Sequence, residues 1–176
     1  YCGYAPLEVI RAMDAVPAFL CGTSGRTIPA AEEVLPANLC PLIKSSFGFI
    51  RTQTCPLYEL AEAVIGETTC DGKKKMFEML GQLQPVYVME VPNKKTERSR
   101  ELWHGEVLAF KGVIEKLTGN EITAEKLSQA IDLVNKRRLA LQRLYNLRKV
   151  RPVPISGKDA LLATQVSFYD DAKRDT

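Results

Sequence analysis

The sequence predicts an α/β fold, a Rossmann-like parallel sheet with flanking helices, followed by a helical tail. Two observations predict it. Short apolar runs that suit buried strands alternate with helical periodicity in the first part of the chain, and nearly continuous helical periodicity begins at Glu97. The 176 residues are 45% hydrophobic and 26% charged, enough to bury a substantial core. We therefore expect an α/β domain over residues 1–96 and a helical segment over residues 97–176.

The segment before residue 63 combines short helices with one strand. Prolines near helix starts and apolar residues at helical spacing predict three helices, although Gly48 weakens the pattern of the second. An apolar run closed by Gly22 predicts a buried strand, and the Gly-, Pro-, Ser- and Thr-rich stretch after it predicts a loop. The expected order is helix Pro6–Ala15, strand Val16–Cys21, loop Thr23–Ala37, helix Leu42–Ile50 and helix Pro56–Ala61.

A strand–helix–strand unit follows. The runs Ala63–Thr68 and Val86–Val91 are apolar and short, and Lys73–Leu83 between them has its apolar residues on one helical face. This spacing predicts a right-handed crossover between two parallel strands. Together with the strand expected before residue 22, the sheet should have at least three strands.

The helical tail contains three helices. The first covers Glu97–Leu117 and ends at a Thr-Gly-Asn stop; the second begins after a capping Thr123 and runs to about Val150; the last begins at Ser156. The chain opens on Tyr1 rather than Met, and we expect it to be a piece of a longer protein, in which this tail leads to a second α/β half.

Composition excludes several classes of protein. A net charge of +3 does not argue for nucleic-acid binding, and no apolar run approaches the ~20 residues of a membrane span. No secretory signal is visible, and five cysteines without a CxxC pair argue against a disulfide framework, so we expect a cytoplasmic protein. The sole histidine, His104, leaves no basis for a hydrolase triad, and neither a GxGxxG nor a Walker A pattern is present.

The sharpest local feature is the segment Gly66–Lys75 (GETTCDGKKK), which places Cys70 between the end of a strand and the start of a helix. Ligands of open parallel sheets bind at that edge. A helix amino terminus favours the thiolate form, and the three lysines would add positive potential; the alternative for each lysine is a solvated helix face. Such a thiolate could be a nucleophile, a redox sensor or a metal ligand.

Two further cysteines stand at expected helix starts, each followed by proline. These are Cys40 in Asn38–Ser46 (NLCPLIKSS) and Cys55 in Thr54-Cys55-Pro56. If the strand order brings the three cysteines to one point, iron–sulfur ligation is the most economical use of them. We expect Cys2 and Cys21 to be structural.

These segments, read in order with Cys2–Glu8 (CGYAPLE), resemble the 2-hydroxyacyl-CoA dehydratase family. This family includes the 2-hydroxyglutaryl-CoA dehydratase D-component and is related to benzoyl-CoA reductase subunits. The resemblance covers nearly the whole chain and extends to Ile122–Glu125 and Pro154–Gly157 in the tail. Members of the family are longer, with a second α/β half after such a tail.

The resemblance implies a cofactor and its ligands. Catalytic subunits of the family hold a 4Fe–4S cluster through three cysteines, two from the first half and one from the second. By position, Cys40 and Cys70 correspond to the first two, Cys55 is a further candidate metal ligand, and the third ligand belongs to the absent half. The resemblance also suggests Ser45 and Ser46 as catalytic neighbours of the cluster. A fragment of this extent should be inactive alone.

The implied activity is that of a lyase which dehydrates a 2-hydroxyacyl-CoA in the amino-acid fermentation of anaerobes. One electron from the cluster gives a ketyl radical, the hydroxyl leaves, and the electron is recovered. The implied partners are a related second subunit and an ATP-dependent iron–sulfur activator, with no nucleic acid and no membrane. Two alternatives stay open: a subunit of an aromatic acyl-CoA reductase, and a non-catalytic partner subunit that binds a cluster.

Overall fold

The computed structural model describes residues 3–169, and the predicted mixed α/β class is confirmed. The role expected for Cys2 lies outside the described residues. In chain order the elements are α1 Leu7–Arg11, α2 Ile28–Glu32, α3 Pro41–Arg51, α4 Pro56–Glu59, β1 Val64–Glu67, α5 Asp71–Leu80, β2 Val86–Met89, α6 Glu97–Thr118, α7 Ala124–Leu147 and α8 Gly157–Val166.

The predicted strand–helix–strand unit is confirmed. Strands β1 and β2 pair in parallel, with Val64 opposite Val86 and Glu67 opposite Met89, and α5 lies between them in sequence. A Cβ atom on Gly66 would lie 2.5 Å from the Phe77 ring, so strand β1 and helix α5 pack more closely than any larger residue would allow.

The predicted strand Val16–Cys21 is wrong. Among the described residues the sheet consists of β1 and β2, and residues 16–21 are not part of it. A central parallel strand must be buried on both faces. Val16 is instead 70% exposed, and none of the five residues after it is fully buried: Ala18 is exposed and the other four are half-buried.

The predicted loop Thr23–Ala37 is partly helical. A single 3-10 turn covers Gly25–Thr27, and the hydroxyl of Ser24 caps it by accepting from Arg26 N at 3.3 Å. The turn leads directly into α2, whose first turn contains Pro29. The composition of this segment predicted a loop, but proline and serine are also favoured at helix starts, so composition does not distinguish the two.

The chain forms two compact units. The first comprises residues 3–5 with Phe19–Gly112, and the second comprises Pro6–Ala18 with residues 113–169. The predicted boundary between residues 96 and 97 stays a prediction; α6 crosses from one unit to the other at Gly112. The core of the first unit, where α2, α3, α5 and β1 meet, contains Ala31, Leu35, Ile43, Phe47, Ile50, Val64, Met76, Phe77 and Leu80.

The second unit contains α1, α7 and α8. Helix α7 packs against α1, and Arg138 pairs with Glu8 at 2.6 Å. The expected cap is confirmed, since Thr123 Oγ1 accepts from Lys126 N at 3.3 Å; Ser156 caps α8 in the same way. Within the described part of the chain, every helix is too short or too polar to cross a membrane.

A pair of exposed thiols at adjoining helix starts

Cys40 and Cys70 are the residues immediately before α3 and α5. Both are free and exposed, and neither side chain makes a capping hydrogen bond. Their backbone carbonyls accept the first helical bonds, from Lys44 N at 3.1 Å and Lys74 N at 3.2 Å. The chain therefore uses the backbone of each cysteine to start a helix and leaves its thiol available for a ligand.

The two helix starts lie against each other. A Cβ atom on Gly72 would lie 3.0 Å from Ile43 Cδ1 and 3.2 Å from Leu39 Cδ2. Those two side chains flank Cys40 in sequence, and Gly72 is two residues after Cys70. The structure thus brings together the two segments that the sequence singled out, and a larger residue at position 72 would have to displace the ends of the Ile43 and Leu39 side chains by a few tenths of an ångström.

Two of the three lysines after Cys70 lie on a solvated helix face, which was one of the two alternatives left open by the sequence. Lys74 pairs with Asp71 at 3.3 Å and Lys75 pairs with Glu78 at 2.9 Å, both on the surface. Lys73 is buried and pairs with Glu67, the last residue of β1. Each of the three lysines therefore has a carboxylate partner.

Cys55 also precedes a helix, as predicted, but its thiol lies in a different setting. It is 1% exposed and hydrogen-bonded to the thiol of Cys21. Burial, followed by the interaction with Cys55, raises the pKa of Cys21 from 9.0 to about 11. The structure therefore gives these four cysteines two environments: an exposed pair, Cys40 and Cys70, and a hydrogen-bonded pair made of the buried Cys55 and the half-buried Cys21.

This difference predicts the order in which the thiols react with iodoacetamide. At pH 8 a thiol with a pKa of about 11 reacts roughly 100-fold more slowly than one with the ordinary value of 9.0, because only the thiolate is alkylated. Peptide mass spectrometry of the native, iron-free protein should show Cys40 and Cys70 modified before Cys21 and before the buried Cys55. The Cys21 rate should rise about tenfold per pH unit until pH 11. Equal rates for Cys21 and Cys40 at pH 8 would contradict this placement.

Ser45 and Ser46, suggested as catalytic neighbours, lie inside α3. Each is 2% exposed. The Ser45 hydroxyl donates to Ser24 O at 2.8 Å and accepts from Ser24 N at 3.1 Å. It thus fastens the loop before α2 to α3, while a catalytic role for either serine stays a prediction.

A pocket of about 360 Å³ lies at the carboxyl ends of both strands, the edge where parallel sheets bind ligands. It adjoins Cys70 in sequence through Thr69. Thr68 joins the two strand ends, since its hydroxyl accepts from Val91 N at 2.9 Å. Among the described residues the lining has no charged side chain; it contains Tyr4, Thr68, Thr69, Val91, Pro92 and Asn93.

The two threonines of this pocket should respond oppositely to replacement by valine. Thr69 Oγ1 is buried without a hydrogen-bond partner among the described residues, so Thr69→Val should raise the free energy of unfolding by about 1 kcal/mol. Thr68→Val should lower it by about 1–2 kcal/mol, because Val91 N loses its acceptor. Urea denaturation followed by circular dichroism measures both. A loss of stability in Thr69→Val would show that its hydroxyl has a partner.

Cys40 and Cys70 fit part of an iron–sulfur ligand set. Such clusters take cysteine thiolates, usually four, and exposed thiols at helix starts provide two. Across residues 3–169, no group of three or more His, Cys, Asp and Glu side chains is placed to hold a metal ion. These residues therefore suffice for two ligands, and the others would have to come from elsewhere in the protein.

Comparison with known proteins agrees with the resemblance. The family described as "2-hydroxyglutaryl-CoA dehydratase, D-component" matches residues 2–176, and the chain belongs to this family. The chain is 47% identical to the "Putative dehydratase subunit YjiM" of Escherichia coli (strain K12) over 92% of this chain and 42% of that protein.

Two more distant relatives carry names that specify a reaction. Lactoyl-CoA dehydratase subunit beta of Anaerotignum propionicum is 26% identical over 88% of this chain and 41% of the relative. The beta subunit of (R)-2-hydroxyglutaryl-CoA dehydratase from Acidaminococcus fermentans is 21% identical over 96% of this chain and 45% of the relative. The chain thus spans less than half the length of each of these relatives.

Proposed function

We propose that this chain is part of a subunit of an iron–sulfur 2-hydroxyacyl-CoA dehydratase, and that Cys40 and Cys70 are two of its cluster ligands. The observation that most supports the proposal is the pair of free, exposed thiols at adjoining helix starts, in a chain of the D-component family. The relatives named for lactoyl-CoA and (R)-2-hydroxyglutaryl-CoA act on thioesters of 2-hydroxy acids. The proposed substrate class is therefore a 2-hydroxyacyl-CoA.

The chemistry of this substrate explains the need for a redox cofactor. The proton lost on carbon 3 is not acidic, so an ordinary acid–base elimination is blocked. A bound cluster would supply single electrons, delivered to it by an ATP-hydrolysing iron–sulfur activator. This chain would hold the cluster through the Cys40 and Cys70 thiolates at the starts of α3 and α5, and the pocket beside Thr69 offers space for a substrate group.

The test is a dehydration assay with the full-length protein. The protein is combined anaerobically with its second subunit, an activator and ATP, and then supplied with lactoyl-CoA, 2-hydroxyglutaryl-CoA or benzoyl-CoA. We expect an enoyl-CoA product from a 2-hydroxyacyl-CoA, with no net reduction. A net two-electron reduction of benzoyl-CoA, without any dehydration, would replace this proposal with the aromatic reductase.

A second candidate function is a cluster-binding partner subunit whose related subunit binds the substrate. The beta-subunit names of the relatives favour it, because each implies at least one other subunit. Replacing Thr68 and Asn93 in the pocket distinguishes the two roles. Substitutions that raise the KM for the acyl-CoA indicate a substrate-binding subunit, and an unchanged KM with lowered electron transfer indicates the partner role.

A further inference from the structure

Each helix that begins after an exposed cysteine has a buried lysine near its start. Lys44, four residues after the first cysteine, is 6% exposed, and Lys73, three residues after the second, is 7% exposed. Lysine is almost never buried unless it is paired. Each lysine has a glutamate partner from the preceding element, Glu32 of α2 for Lys44 and Glu67 of β1 for Lys73.

The Glu67–Lys73 pair closes the turn that carries Cys70. Glu67 ends β1 and Lys73 lies in the first turn of α5, so the ion pair spans residues 68–72. The side chains are 7% and 8% exposed, respectively. Lys73 Nζ also lies 5.8 Å from the centroid of the Phe77 ring, which packs against Gly66. The lysine is thus held between the end of the strand and the body of the helix.

The Glu32–Lys44 pair does the same for the turn that carries Cys40. Lys44 Nζ lies 2.6 Å from Glu32 Oε1 and donates to Ala37 O, also at 2.6 Å. Glu32 ends α2, and Ala37 lies in the connection to α3. One ammonium group therefore fastens the end of one helix, the following loop and the beginning of the next helix.

Stability alone does not account for a pair in which both side chains are buried, as Glu67 and Lys73 are. Removing two charges from water costs about as much as their attraction returns, so apolar side chains of similar volume often serve equally well. An ion pair differs from an apolar contact in being directional, since it fixes where each end of a turn lies. We infer that Glu67 and Lys73 are positioning residues that hold the Cys70 thiol at a fixed separation from the Cys40 thiol. This inference rests on the proposed function, in which both thiols bind one cluster.

The test replaces both charges at once, in the full-length, iron-free protein. In Glu67→Met/Lys73→Met the volume is retained and no unpaired charge remains, so the thermal midpoint should stay close to that of the wild type. The probe of separation is dibromobimane, a short reagent that cross-links two thiols. We expect the yield of the Cys40–Cys70 cross-link, measured by peptide mass spectrometry, to fall at least fivefold. Alkylation of either thiol by iodoacetamide should not change.

Two further variants keep the test decisive. Lys75→Met/Glu78→Met removes an exposed pair from the same helix, and Lys73→Arg keeps the charge opposite Glu67; both should cross-link as the wild type does. A wild-type yield in the Glu67→Met/Lys73→Met variant, or an equal loss in Lys73→Arg, would overturn the inference. The readout needs no iron, so a wild type that cross-links but never binds iron would instead count against the proposed function.

Discussion

Replacing Gly48 by alanine should unfold much of the first unit. A Cβ atom at this position of α3 would lie 2.0 Å from the carbonyl oxygen of Thr27, and a backbone atom cannot move aside as the end of a flexible side chain can. The helix must therefore separate from the 3-10 turn that it packs against. We expect the free energy of unfolding to fall by about 3 kcal/mol or more, measured by urea denaturation.

Gly105→Ala is the matched control, since it makes the same change within α6. No atom lies within 4 Å of the Cβ position at Gly105, and alanine is the better helix former by about 1 kcal/mol. Gly105→Ala should therefore be neutral or stabilising. Equal stability of the two variants would contradict the close approach of α3 to the turn Gly25–Thr27.

Phe110→Ala should have the second large effect on stability. The side chain is 0% exposed, and its ring stacks on Tyr87 of β2 with centroids 5.9 Å apart. Truncation removes this contact and leaves a cavity, which should cost about 3–5 kcal/mol. Leu108→Ala, on the same helix but 55% exposed, should cost less than about 1 kcal/mol. A loss of similar size in both variants would place Phe110 outside the core.

The sequence predicted the regular elements best where local chemistry decides them. The unit β1–α5–β2 carries a strong apolar pattern, and its bounds differ from the prediction by a few residues. The strand predicted at residues 16–21 is wrong because an apolar run forms a strand only where a neighbouring strand pairs with it. The local sequence does not show whether such a neighbour exists. The prediction of a loop over Thr23–Ala37 is partly wrong because the same residue types start helices and form loops.

In the candidate site, too, features set by the local sequence could be predicted and those set by tertiary packing could not. The helix starts at Cys40 and Cys70 could be predicted from the proline and the turn beside them, whereas their contact at Gly72 depends on tertiary packing. The burial of Lys73 also could not be predicted from the sequence. Lys73 is one of three consecutive lysines, and only the folded structure shows that it is the one that pairs with Glu67 and lies over the Phe77 ring.

The most direct test of this account is the iron and acid-labile sulfide content of the full-length protein, purified and reconstituted anaerobically. We expect about four irons per subunit in the wild type and in Cys21→Ala, and loss of that iron in Cys40→Ala and in Cys70→Ala. Wild-type iron in either of the last two variants, or none in the reconstituted wild type, would contradict the assignment of these two thiols.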